Sequence, residues 1–249
     1  MQKSLLYHTM KRKSMSIALV TGASRGIGRA TALLLATQGY TVAVNYLSNA
    51  AAAQEVVDAI TVSGGRAFCV QADISDERQV MAMFATLDEQ GEPLTALVNN
   101  AGVLFTQCMT EKLTAERINK VLATNVTGYF LCCREAVKRM AHHHGGQGGA
   151  IVNVSSAASR LGAPGEYVDY AASKGAVDSL TIGLSLEVAA QGIRVNGVRP
   201  GLIYTDIHAS GGEPGRVDRV KSALPMQRGG SRKKWPKPSR GCSATKPRT

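Results

Sequence analysis

Nothing in this chain approaches the roughly 18 consecutive apolar residues that a transmembrane helix needs, so none is expected. Nor does the start look like a secretory leader. Residues 1–16 are polar and basic, and their one apolar island, Leu5-Leu6-Tyr7, is too short for the apolar region of a leader. A cytoplasmic protein with no membrane partner is the expectation. The five cysteines, Cys69, Cys108, Cys132, Cys133 and Cys242, include no C-x-x-C pair, which leaves no closed thiolate shell for a metal and favours reduced, mostly buried thiols. His142-His143-His144 lies at a helix end beside a glycine-rich loop and reads as solvated loop, so no metal is expected. No segment repeats.

The charge balance also lacks something: a basic body. The formal net charge is +11, but Lys3, Lys11, Arg12 and Lys13 supply +4 of it, and the residues from Arg228 onward supply +8 with no acid among them. Residues 14–227 carry −1. Basicity confined to the two ends weakens a nucleic-acid partner, although a basic-tailed nucleic-acid binder stays a minor alternative.

What the chain does have is regular alternation. Runs rich in Val, Ile and Ala at 16–22, 41–46, 66–74, 94–102, 149–156 and 193–201 read as strands buried on both faces. Helical stretches near 26–39, 49–63, 76–90, 114–141 and 168–191 separate them. This β-α-β-α order predicts an α/β fold: one Rossmann-type domain with a doubly wound parallel sheet and helices on both faces. The domain is expected over 16–227, between a polar basic extension at 1–15 and a basic tail at 228–249. In such sheets ligands bind beyond the carboxyl ends of the strands, and the informative residues fall there.

After the first strand, Thr21-Gly22-Ala23-Ser24-Arg25-Gly26-Ile27-Gly28 opens a helix. Glycines let the backbone turn sharply beside a pyrophosphate, and the helix N-terminus offers free N–H groups to it. The second strand ends Val44-Asn45-Tyr46-Leu47-Ser48, without the acid that would accept from a ribose 2′-hydroxyl. Arg25 can instead meet a 2′-phosphate, so NADP(H) is favoured over NAD(H). Tyr170 and Lys174, four apart on a predicted helix, share one face, and a neighbouring ammonium, helped by the cationic nicotinamide of the oxidised cofactor, would stabilise the phenolate and lower the phenol's pKa.

The G-x-x-x-G-x-G spacing resembles the short-chain dehydrogenase/reductase family. Asn99-Asn100-Ala101-Gly102, the Ser156, Tyr170 and Lys174 set and Pro200-Gly201 follow in family order over about residues 16–227. The likeness is to uncharacterised enterobacterial members near the glucose-dehydrogenase and 3-oxoacyl-carrier-protein-reductase branches. It implies an enzyme interconverting a carbonyl and an alcohol by hydride transfer. Ser156 would hold the substrate oxygen, Tyr170 would exchange the proton, and Asn125 would support a water relay to Lys174. Ser156 is preferred to Ser155 although it precedes Tyr170 by one residue more than in many relatives. Cofactor contacts are implied at Gly22, Ser24, Arg25, Gly26, Ile27, Gly28, Asn45, Ser48, Asp73, Asn99, Ala101 and Gly102. Tyr170, Lys174, Pro200, Gly201, Ile203 and Thr205 complete that set, with Ile203 and Thr205 on the carboxamide. A homodimer or homotetramer is implied too.

The resemblance stops near Gly230. Relatives continue with an acidic helix and a last strand, whereas 231–249 holds three prolines and no helical or strand period. That ending reads as an out-of-frame version of the family's: GAA-GAA followed by G, shifted by one base, encodes Lys-Lys, as at Lys233-Lys234. A genuine basic tail is the alternative. Loss of the last strand would expose a sheet edge and could leave a protein that binds cofactor but turns over poorly.

Overall fold

The computed structural model describes residues 15–231. Six parallel strands, β1 (Ile17–Val20), β2 (Thr41–Tyr46), β3 (Arg66–Gln71), β4 (Leu94–Asn99), β5 (Gly149–Val154) and β6 (Ile193–Val198), form one sheet in the order β3-β2-β1-β4-β5-β6. The predicted doubly wound fold is the one observed. Because the order reverses between β1 and β4, the connections leaving their carboxyl ends diverge and open a crevice.

The strand pattern has a simple cause. Alternate residues of β1 point to opposite faces, Ile17 and Leu19 into one core and Ala18 and Val20 into the other, all four without solvent exposure. The second core packs α1 (Gly26–Thr37) and α2 (Ala50–Val62) on the sheet. The first packs α3 (Glu77–Asp88), whose Val80, Met83, Phe84 and Leu87 recur at helical spacing behind an Asp76 cap.

The single helix expected over 114–141 is interrupted. α4 (Ala115–Leu122) runs into a π-helical turn, Ala123–Thr127, before α5 (Gly128–Met140). Such a turn inserts one residue into the helical register, and here it carries Asn125 inward to full burial. At the following position a Cβ on Gly128 would lie 2.8 Å from the Ile74 carbonyl oxygen, so glycine lets α5 approach the β3 exit. Beyond β5, a short α6 (Ala158–Leu161) leads to α7 (Val168–Glu187), with α8 (Ile207–Ser210) and α9 (Arg216–Val220) after β6.

The three histidines are exposed, in keeping with the loop reading. The His142 ring packs over Gly192, and the His143 ring nitrogen meets Gln191 Oε1 at 2.6 Å, joining two turns. Among the described residues, no cluster of His, Cys, Asp and Glu could hold a metal, and no helix is long and apolar enough to cross a membrane. Gly230 pairs with Ile203 in an isolated parallel bridge. The extension at 1–14 and the tail at 232–249, including Lys233-Lys234, lie outside the described residues.

Candidate active site

Beyond the carboxyl ends of β1, β4, β5 and β6 lies a cleft of about 260 Å³. Its lining gathers Ile27 from the glycine turn, Asn100 and Gly102 from after β4, Ser156 from after β5, Tyr170 and Lys174 from α7, and Pro200, Gly201, Ile203 and Thr205 from after β6.

The glycine turn is built for close approach. Gly22 has φ +61°, and a Cβ there would lie 2.9 Å from the Ala101 Cα, so the exits of β1 and β4 touch through the missing side chain. Gly26 has φ +59°. No side chain caps the N-terminus of α1, which leaves its first N–H groups available to an anion. Arg25 is exposed, and its Nη2 donates to Ser210 Oγ at 3.3 Å. Ser24 is half-buried and Ser48 exposed. Asp73 Oδ1 accepts from the Ser75 N–H and hydroxyl at 2.9 and 2.7 Å.

Two residues of the expected cofactor set have side chains turned away from the cleft. Asn45 is buried; its Oδ1 accepts from the Gly22 N–H at 3.1 Å while its Nδ2 reaches the Val70 and Ala72 carbonyls. It buttresses the glycine turn from behind. Asn99 is fully buried between β4 and β5, donating to Asn153 Oδ1 at 2.9 Å and to Cys133 Sγ at 3.2 Å. Its neighbour Asn100, one residue on and therefore on the other face, is the one lining the cleft, with its amide on the Thr21 and Gly22 carbonyls at 2.9 and 3.0 Å. Thr21 joins the same link, its hydroxyl accepting from the Asn100 and Ala101 N–H groups at 2.9 and 3.0 Å. A threonine at the end of an apolar strand was the sequence signal for this role.

The two serines differ in burial and in partners. Ser155 is 2% exposed and its hydroxyl donates to the Lys174 carbonyl at 3.1 Å. The Ser156 hydroxyl is half-buried in the cleft and accepts the Ala158 N–H at 3.1 Å.

Lys174 is held from two sides. Its Nζ donates to the Val154 carbonyl at 2.8 Å and to the Tyr129 hydroxyl at 3.3 Å, and it lies 5.7 Å from the Tyr170 ring centroid. Tyr129, fully buried on α5, was missed as a site residue because nothing local distinguishes it from a core aromatic. Burial pulls the Lys174 ammonium down to about 7. Burial likewise raises the Tyr170 phenol, opposed by the Ser156 hydroxyl and the Arg216 charge. The Lys174 ammonium itself is directed to the Val154 carbonyl and the Tyr129 hydroxyl. Asn125 bonds Val103 through both its amide groups, at 2.8 and 3.1 Å, and donates to Ser173 Oγ at 3.1 Å. A Cβ on Gly102 would come within 3.3 Å of Asn125 Oδ1 and 3.7 Å of Lys174 Nζ, so glycine keeps that corner open.

The sequence pattern described as short chain dehydrogenase matches residues 16–214. An uncharacterised oxidoreductase of Escherichia coli K12, YgfF, is 79% identical over 216 residues, covering 87% of each chain. The 3-oxoacyl-acyl-carrier-protein reductase FabG of Staphylococcus aureus N315 is 40% identical over 195 residues, 78% of this chain and 77% of that one. A short-chain type dehydrogenase/reductase from Mycobacterium marinum shares the fold at a TM-score of 0.81 and 32% identity, covering 88% of this chain and 84% of that chain. With these relatives and the Rossmann-type sheet, this chain belongs to the short-chain dehydrogenase/reductase family of oxidoreductases.

Proposed function

We propose that the protein interconverts a carbonyl and an alcohol using NADP(H), with Tyr170 moving the proton. The observation that carries this reading is the convergence of Ser156, Tyr170 and Lys174 on one cleft with the glycine turn at Ile27. The turn suits a dinucleotide: Gly22 and Gly26 fold the backbone sharply with φ +61° and +59°, and the N-terminus of α1 behind them is uncapped. Gly22, Ser24, Gly26, Ile27 and Gly28 would hold its phosphates, Asp73, Ala101 and Gly102 its adenosine half, and Pro200, Gly201, Ile203 and Thr205 its nicotinamide end. When bound, the cofactor supplies or accepts the hydride.

The chain's own residues do the rest. Ser156 presents its hydroxyl to the substrate oxygen. Tyr170 donates the proton to that oxygen in reduction and removes it in oxidation. Lys174, anchored by Val154 and Tyr129, lies beneath the Tyr170 ring, and Asn125 holds the Val103 loop and Ser173 beside it. Arg25, with no acid at the end of β2, supports NADP(H). Reduced, unpaired thiols at Cys69, Cys108, Cys132 and Cys133 support a cytoplasmic enzyme, and the exposed apolar side chains of α5 and α7 support a homodimer or homotetramer.

The test is NADPH consumption by the purified chain against aldehydes and ketones. Turnover on at least one carbonyl is expected, falling about 1,000-fold or more in Tyr170→Phe while NADPH binding persists. Cofactor binding without turnover on any carbonyl would instead support a nucleotide-binding protein impaired by its altered ending.

A further inference from the structure

One end of the cleft carries a positive charge that the chemistry above does not use. The cleft lining contains two strong bases, Lys174 and Arg216, and no aspartate or glutamate. Lys174 is accounted for. Arg216 comes from α9, its side chain is 17% exposed, and its guanidinium lies 5.0 Å from the Tyr167 ring centroid. Its charge works against the burial-driven rise of the Tyr170 phenol, after the larger effect of the Ser156 hydroxyl. His208 does not add to this charge: it is buried, its Nε2 faces the Ile203 carbonyl at 2.9 Å, and burial holds it below the usual imidazole value.

The acids near Arg216 stand behind it. Its Nη2 donates to Glu166 and its Nε lies 4.0 Å from Glu213. Neither carboxylate lines the cleft. Both are shared with Arg219, which donates to Glu166 Oε1 and Glu213 Oε2 at 2.9 Å each, and Glu213 also takes the Gln107 amide. Arg219 alone thus ties Glu166 to Glu213. A latch between the two loops does not need Arg216, whose distinguishing property is that it faces the cleft. Its Nε is moreover buried with no hydrogen-bond acceptor, the Glu213 carboxylate standing off at 4.0 Å. The surroundings are aliphatic, with Leu104, Leu161, Ile207 and Leu224 on the same lining. In such surroundings an ionised oxygen acid compensates a guanidinium far better than a neutral acceptor does.

We propose that Arg216 receives the carboxylate of the substrate, and that the substrate is a small oxo acid or the corresponding hydroxy acid whose carbonyl or alcohol carbon lies at Ser156 and Tyr170. This rests on the carbonyl–alcohol reading. Arg216 is a specificity-determining residue that acts on binding.

The experiment compares 2-oxobutanoate, acetoacetate and 4-oxopentanoate, whose carboxylates lie progressively farther from the carbonyl, each with its methyl ester. The native enzyme should prefer at least one acid to its ester through KM, and the acid-to-ester ratio of kcat/KM should fall about 10- to 100-fold in Arg216→Gln. Glu166→Gln and Arg219→Gln disturb the same ionic cluster but leave the Arg216 guanidinium in place. Their ratios should stay within about threefold of native, the scale of an exposed ion pair, and Arg216→Lys should recover part of the loss. Esters preferred throughout by the native enzyme, or ratios falling equally in all three glutamine variants, would overturn the proposal. Failure of the redox reading looks different, because then neither acids nor esters consume cofactor. In that case calorimetry with 4-oxopentanoate and its methyl ester decides. Acid binding lost in Arg216→Gln upholds the carboxylate site; equal or absent binding of the two overturns it.

Discussion

Arg117 and Asp169 form a two-pronged ion pair one residue ahead of Tyr170, with Nε to Oδ2 at 2.7 Å and Nη2 to Oδ1 at 3.3 Å. The Asp169 side chain is 3% exposed and also accepts the Tyr170 N–H at 2.9 Å, while Arg117 Nη1 reaches the Thr106 carbonyl at 2.6 Å. One contact therefore joins α4, the loop after β4 and the first turn of α7. Removing Arg117 leaves a buried carboxylate without its cation, a loss of about 3 kcal/mol or more. Arg117→Ala should lower the urea midpoint and depress kcat more than KM, because the start of the Tyr170 helix loses its anchor. Arg117→Leu combined with Asp169→Leu should be more stable than either single change. A double variant as unstable as the sum of the singles would show that the pair is not the unit.

Lys174 imposes a pH dependence whose sign is fixed by its burial. Its pKa falls from a usual 10.5 to about 7, so between those values the unfolded chain holds a proton that the folded chain has released. Stability from this group thus rises with pH across that window and is at its lowest below about pH 7, where both states are charged and the full burial penalty, of order 5 kcal/mol, applies. Lys174→Met keeps the aliphatic stem and removes the charge. It should raise the urea midpoint at pH 7, with a smaller gain at pH 9.5, and abolish turnover. An equal gain at both pH values would contradict the assignment.

The strands were legible because a parallel sheet covered on both faces demands near-continuous apolar runs, as at Ile17–Val20 and Val42–Val44. The glycine turn was legible because the left-handed φ at Gly22 and Gly26 favours glycine. What failed to show was decided by partners distant in sequence. Motif letters do not say which of Asn99 and Asn100 faces the cleft; the strand's two-residue alternation, set by pairing with β5, does. The extra residue at Asn125 leaves the apolar spacing of 114–141 readable as one helix, so the π turn escaped notice. Arg216 acquires its meaning from the cleft it shares with Tyr170 and Lys174, more than forty positions away, and no local pattern marks it.

Cofactor choice tests Arg25. Its guanidinium is exposed and its bond to Ser210 is a surface one, so it is free to exchange that partner for a 2′-phosphate at little cost. Arg25→Ala should weaken NADPH binding about 10- to 100-fold and leave NADH binding nearly unchanged. Both cofactors can be titrated by calorimetry without any substrate. Equal weakening for both would mean that Arg25 shapes the turn and does not read the phosphate.

The groove between α5 and α7 tests self-association. Phe130, Leu184 and Gly183 line it, together with the small residues Ala176 and Ser179 on the same α7 stripe. Gly183 lies inside a 20-residue helix, where glycine costs about 1 kcal/mol relative to alanine, yet a Cβ there would meet nothing within 4 Å. Its own fold gives no reason for that cost; a homo-oligomer in which a second helix came close would. A two-fold pairing of identical faces would cover Phe130, which lines the same groove and is 51% exposed. Gly183→Arg should therefore shift the chain toward monomer in light scattering without unfolding it. Gly183→Ala should raise the helix content of any monomer and weaken assembly only modestly. If Gly183→Arg assembles like the native chain, this groove is not where copies meet.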